Sequence, residues 1–220
     1  MKWLNSLDEL LYEVMSWLLF FPVTLRGATL HPLSTMATVE SEAALPEDQQ
    51  YSALLSPPLF LALALLVAHG AATALGHTDA LIANQHGLAK LVDDTTSALA
   101  VRIVVFAAVP LFLAARLVRS AGKTIDRLTL RQPFYEQCYP AAIFALGLSL
   151  GTGFSTTSDH RAHLAGQVLI VSSMVYFVTV ETLWFARQGS GGYLRALGNV
   201  ALALLQGTLL MLLAGFLLTR

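Results

Sequence analysis

LRALGNVALALLQGTLLMLLAGFLL, residues 194–218, decides the fold class. Its only charged side chain is Arg195, next to its start. An α-helix needs about 20 consecutive apolar residues to cross roughly 30 Å of hydrocarbon, and this run exceeds that. Four further apolar runs precede it, at about 58–75, 98–118, 139–154 and 164–185. The run at 139–154 is the shortest and is rich in Gly and Ser; without it, every later part of the topology would invert.

Charge follows the same plan. The chain is 55% hydrophobic and 12% charged, about half the usual charged share of a soluble domain, and the charges cluster between the apolar runs. This predicts an all-α polytopic membrane helix bundle of about five transmembrane helices, solvated by the lipid bilayer. A net charge of −1 gives no reason to expect nucleic acid as a partner. The single cysteine, Cys138, forms no internal disulfide and fits no multi-cysteine metal site.

Upstream of the spans, residues 1–25 read as an amphipathic interfacial helix. Trp3, Leu4, Leu7, Leu10, Leu11, Val14, Met15 and Leu18 follow the spacing of one helical face, and Pro22 ends the apolar run. Trp3, Tyr12 and Trp17 suit the headgroup boundary. Residues 26–56 form an acidic connector with Glu40, Glu42, Glu47 and Asp48, and a short helix is expected near 38–45. Pro57 and Pro58 open the first span of a five-span domain, 57–220, at the helix position where proline is tolerated.

Lys and Arg in the short connections set the orientation. Arg119, Lys123, Arg127 and Arg131 lie between the second and third runs, and Arg187 and Arg195 between the fourth and fifth. The positive-inside rule places these connections in the cytoplasm. The N-terminus is then cytoplasmic, the C-terminus periplasmic or extracellular, and the chain a multi-pass protein of the inner (plasma) membrane.

Ionisable and polar side chains within the spans are the candidate functional residues, because they are costly in lipid. His69, Arg102, Gln167, Glu181 and Gln206 are the transport or polar-path candidates. Inter-helix hydrogen bonding is the expected role of His69, Gln167 and Gln206, and a polar cavity shared by His69, Arg102, Gln167 and Gln206 is the alternative. Arg116 and Glu181, both near the basic ends of their helices, form the expected ion pair. Asp159, His160 and His163 are the metal candidates, the two histidines sharing a helical face. No cofactor is expected. Gly147 with Gly151, and Gly70 with Ala74, read as close-packing pairs suited to helix contact within the chain, with a second copy or with other membrane proteins. The chain has no His-Glu-x-x-His, no P-loop and no Gly-x-Gly-x-x-Gly entering a helix, so it reads as a non-enzyme.

The acidic N-terminal region, five clustered spans and the Leu-Ser-Pro-Pro stretch at 55–58 resemble the Yip-domain family over about residues 53–218. That family's acidic-Leu-x-Gly-Pro motif is absent from this chain. The short loops and surface helix also resemble small bacterial inner-membrane proteins of permease-like type. The first resemblance implies a membrane-organising or scaffold role. The second implies movement of an ion or small solute.

Overall fold

The computed structural model describes residues 2–46, 49–74, 95–189 and 191–219, without the side chains of 2–7, 95–102, 105, 215 and 217–219. The described residues form seven helices: α1 (Lys2–Leu30), α2 (Pro32–Ala43), α3 (Pro57–Ala74), α4 (Thr95–Ser120), α5 (Arg127–Ser155), α6 (His160–Arg187) and α7 (Tyr193–Thr219). Four of them, α3, α5, α6 and α7, are long and apolar enough to cross a membrane. The expected span at 98–118 falls in α4, whose first side chains lie outside the described residues. It is not one of these four.

α5 is the hub, packing against α1, α2, α3, α4 and α6. Its central face is small or flat where neighbours press closest: Cys138, Tyr139, Ala142 and Ala145 are fully buried. The outward faces of α6 and α7 are apolar and exposed, as Val168, Val171, Val175, Leu205, Leu209 and Leu212 illustrate. Contiguous exposed apolar surface of this extent fits a lipid environment far better than water.

Three boundaries differ from expectation. α1 continues through Pro22 to Leu30. Beyond the proline it is held by burial of Thr24 and Ala28, and by the Tyr176 hydroxyl donating to the Ala28 carbonyl at 2.7 Å. α5 starts at Arg127, well before the apolar run at 139. Asp126 accepts from the Leu128 and Thr129 backbone N–H groups, while the Thr129 hydroxyl accepts from Asp126 N–H. This reciprocal cap starts the helix in a polar stretch. The helix in the connector is likewise earlier than expected, at 32–43, with Pro32 in its first turn and Met36 and Val39 buried.

The strap after α2 is pinned at Leu55. Its N–H donates to Thr24 Oγ1 at 3.0 Å, and its carbonyl accepts from the Tyr139 hydroxyl at 3.0 Å. Both backbone groups of a buried, non-helical residue are thereby satisfied. Phe60 then packs between Phe21 and Tyr139, tying α1, α3 and α5 together.

A buried carboxyl cluster as candidate functional site

α5 and α6 run antiparallel, and side chains on each lean toward their own helix N-terminus. The start of α5 and the end of α6 therefore share the basic end, where Glu136 and Gln137 from α5 meet Glu181 and Trp184 from α6. Glu136 is 2% exposed and Glu181 0%. Glu136 Oε1 accepts from Gln132 Nε2 at 3.1 Å, one turn away on α5. Its Oε2 accepts from the Trp184 indole N–H at 3.2 Å. The Gln137 amide, turned so that its nitrogen faces α6, donates to Glu181 Oε1 at 2.8 Å and also lies against Oε2. Glu136 lies close enough to Glu181 for the two carboxyl groups to interact.

A cavity of about 370 Å³ reaches Glu136 from the basic end and is lined by Lys123, Thr129, Gln132 and Gln188 among others. Lys123 belongs to the α4–α5 connection and Gln188 to the α6–α7 connection, so the two basic connections meet at one end of the bundle. Toward the far end, α5 and α6 close on each other. A Cβ added at Gly166 would meet the Gly151 carbonyl and the Ser155 backbone nitrogen at 2.6 Å each, and one at Gly147 would collide with the Ser173 side chain. The Gly147–Gly151 pair is thus a close-packing device between these helices. Gly70 is not: among the described residues, nothing lies within 4 Å of a Cβ built there.

Of the residues read as inter-helix hydrogen bonders, Gln206 makes such a bond, to Arg116, while the alternative of one shared polar cavity finds them dispersed. His69 is buried on the face of α3 that carries Leu61, Leu65 and Ala68. Gln167 is exposed and contacts His163 Nε2 at 3.1 Å. Gln206 lies on the outer surface of α7, and the Arg102 side chain lies outside the described residues.

The expected Arg116–Glu181 pair is corrected as well. Arg116 Nε and Nη2 donate to Gln206 Oε1 at 3.2 and 3.1 Å. Arg116 leans toward the α4 N-terminus, away from the basic end, and meets Gln206 leaning the opposite way from α7. Glu181 is left to Gln137.

The metal set does not assemble either. Asp159 caps α6 by accepting from Ala162 N–H at 3.0 Å, and His163 Nδ1 lies 2.6 Å from the Ser155 carbonyl. Those backbone contacts occupy two of the three intended ligands. Among the described residues, no three His, Cys, Asp or Glu side chains converge on a metal-sized site.

Residues 147–151 also spell Gly-Leu-Ser-Leu-Gly, the letters of a nucleophile elbow, which needs a sharp strand-to-helix turn. Here the five residues lie inside α5, and among the described residues Ser149 Oγ has no histidine or carboxylate partner.

Gln132, Glu136, Gln137 and Trp184 were not among the sequence candidates. The signals for them were the i, i+4 pair Gln132–Glu136 and the i, i+3 pair Glu181–Trp184, which place each set on one helical face. Comparison with protein-family models, curated proteins and solved structures finds no match, so the role of the site is argued from its own chemistry.

Proposed function

We propose that this chain is a permease-like integral membrane protein, and that the Glu136–Glu181 cluster handles the transported or coupling ion, a proton or small monovalent cation. One observation carries the reading: two carboxyl groups, 2% and 0% exposed, sit together in an apolar bundle with neutral donors, Gln132, Gln137 and Trp184, as their partners. Ionisable groups in a membrane bundle are expensive to keep and mark ion or proton pathways by default. Two adjacent carboxyl groups in lipid do not both stand as bare anions. A proton or a cation between them is the least costly state.

The cavity at Glu136 supplies access from the basic end, and the glycine contacts of α5 and α6 close the far end. The arrangement fits one state of a carrier better than an open channel. With the basic connections in the cytoplasm of a bacterial cell, the site faces inward, the N-terminus is cytoplasmic and the C-terminus external. No enzymatic step is assigned to it.

Reconstituted protein should move protons, Na⁺ or K⁺ into dye-loaded liposomes. Glu136→Gln with Glu181→Gln should lower that flux at least about tenfold, the order expected when an intramembrane ion ligand is lost. Arg116→Gln, outside the cluster, should leave flux within about twofold, since it removes only a structural hydrogen bond. Folded protein that passes none of these ions overturns the permease reading.

The alternative is a non-transporting, Yip-like membrane-organising protein. It draws on the dense α5–α6 packing and on the exposed apolar stretch of α1, Leu10 to Leu19. Crosslinking in native membrane should then recover defined partners that are lost when residues 1–25 are deleted.

A further inference from the structure

A carboxyl pair in a membrane bundle takes up either a proton or a metal cation, and the groups around it decide which. Each Glu136 oxygen already accepts an N–H, Oε1 from Gln132 and Oε2 from the Trp184 indole. The Gln137 amide nitrogen faces both Glu181 oxygens. Amide and indole N–H groups suit a carboxyl in either protonation state. They disfavour a metal ion, because they present hydrogen where the ion needs a lone pair.

A Na⁺ or K⁺ ion stripped of its water needs a shell of oxygens in its place. In membrane bundles, backbone carbonyls supply much of that shell where helices break. α5 and α6 both run unbroken past the cluster, which keeps their carbonyls in helix bonds. Pro133 and Pro140, the two prolines inside α5, release the carbonyls of Thr129 and Glu136. Those two are about 10 Å apart along the axis, too far to close one shell. The approach disfavours a metal cation as well, since Lys123 lines the cavity that reaches Glu136.

We infer that the ion taken up by the Glu136–Glu181 pair is a proton rather than a metal cation, and that Glu136, on the cavity wall, is the carboxyl that exchanges it. Uptake moves one proton from hydronium to a Glu136 carboxylate oxygen, leaving water and a neutral acid. Glu181, fully buried beside it, makes the doubly ionised pair too costly to populate. Three further groups act there. Glu40 of α2 lies within electrostatic reach of Glu136 and favours its protonated form, whereas Lys123 across the cavity opposes it. Tyr176 of α6 lies within reach of Glu181 but spends its hydroxyl proton on the Ala28 carbonyl. The inference rests on the ion-handling reading of this cluster, and its test reads occupancy rather than flux.

Trp184 reports on Glu136, because its N–H bond to a carboxylate is charge-assisted and weakens when the carboxylate is protonated. Trp3→Phe/Trp17→Phe leaves Trp184 as the only indole of the full chain. Its emission in detergent is followed against pH and, at fixed pH, against NaCl or KCl replacing choline chloride. One step with pH is expected, lost in Glu136→Gln, together with no saturable response to Na⁺ or K⁺. Infrared spectra of the unaltered protein at pH 7 should show a protonated-carboxyl C=O band, unmoved by either salt and lost in Glu136→Gln/Glu181→Gln. The salt and infrared measurements on the unaltered protein hold whether or not those variants fold. A saturable response to Na⁺ or K⁺, absence of the band, or a pH step that survives in folded Glu136→Gln would each overturn the proton assignment. A proton site in a protein that moves no ion would sink the permease reading alone.

Discussion

At their far end, α5 and α6 are brought together by absence: Gly147, Gly151 and Gly166 remove side chains until backbone meets backbone. At their basic end the same two helices are held apart by bulk, with Glu136, Gln137, Glu181 and Trp184 filling the space and hydrogen bonding across it. In lipid, apolar side chains gain little by leaving the solvent, so contact must come from close van der Waals packing or from polar groups with no better partner. The α5–α6 pair uses one device at each end. The close-packed end has no room to adjust. The polar end keeps its shape only while its hydrogen-bond partners match, and it is the end that a cavity reaches.

The largest expected effect lies at the close-packed end. Gly166→Ala places a methyl group 2.6 Å from the Gly151 carbonyl and the Ser155 nitrogen, both backbone atoms that cannot rotate away. We expect a loss of about 3 kcal/mol, at the top of the usual overpacking range. It would be read as a lower melting temperature of the detergent-solubilised protein. Gly198→Ala is the control, because nothing among the described residues lies within 4 Å of its Cβ. There the gain in helix propensity should stabilise α7 by about 0.5–1 kcal/mol. Equal responses at the two glycines would mean that the α5–α6 approach is not a tight contact.

At the polar end the expected loss is smaller and can be repaired. Glu181→Met leaves the buried Gln137 amide without its carboxyl partner, which should cost about 2 kcal/mol. Adding Gln137→Met removes the stranded amide, so the double variant should recover most of that loss. Strictly additive single effects would show that the two side chains do not act as a pair. No such repair is available at Gly166, where the obstacle is backbone.

What the residues disclosed in advance follows the same division. The helical, membrane-compatible architecture was legible because long apolar runs such as residues 194–218 leave few other solutions. The glycine contact was legible because small residues four apart share a helical face. The carboxyl cluster was only half legible. Glu181 was visible as a lone acid in an apolar run, but Glu136 and Gln137 lay in a stretch that reads as loop beside Arg131, Gln132 and Pro133. The structure makes that stretch helical and turns its polar face inward. Arg116 was assigned to the wrong partner because nearness to a helix end was taken as nearness to Glu181. Helix packing decides the matter: α4 packs against α7 rather than α6, which sends Arg116 to Gln206.

The smallest effect tests how that missed stretch becomes helical. Asp126 is exposed, and the Thr129 backbone N–H, aided by Leu128, holds its carboxyl below the ordinary carboxylate range. A carboxyl lowered on folding contributes stability that is present above its unfolded pKa and is lost as pH falls through the folded one. Asp126→Ala should therefore loosen the first turns of α5 at neutral pH and mimic what acid does to the unaltered protein. Amide hydrogen exchange at residues 128–131 is the measurement: faster exchange in the variant at pH 7, and convergence of variant and parent once acid has protonated Asp126. Exchange at Gly166 and its neighbours should not change, because the close-packed end owes nothing to the cap. If the variant exchanges like the parent at pH 7, the cap is not what starts α5 at Arg127. The burial of Glu136 and Gln137 against α6 would then have to be strong enough to draw the preceding polar turns into the helix.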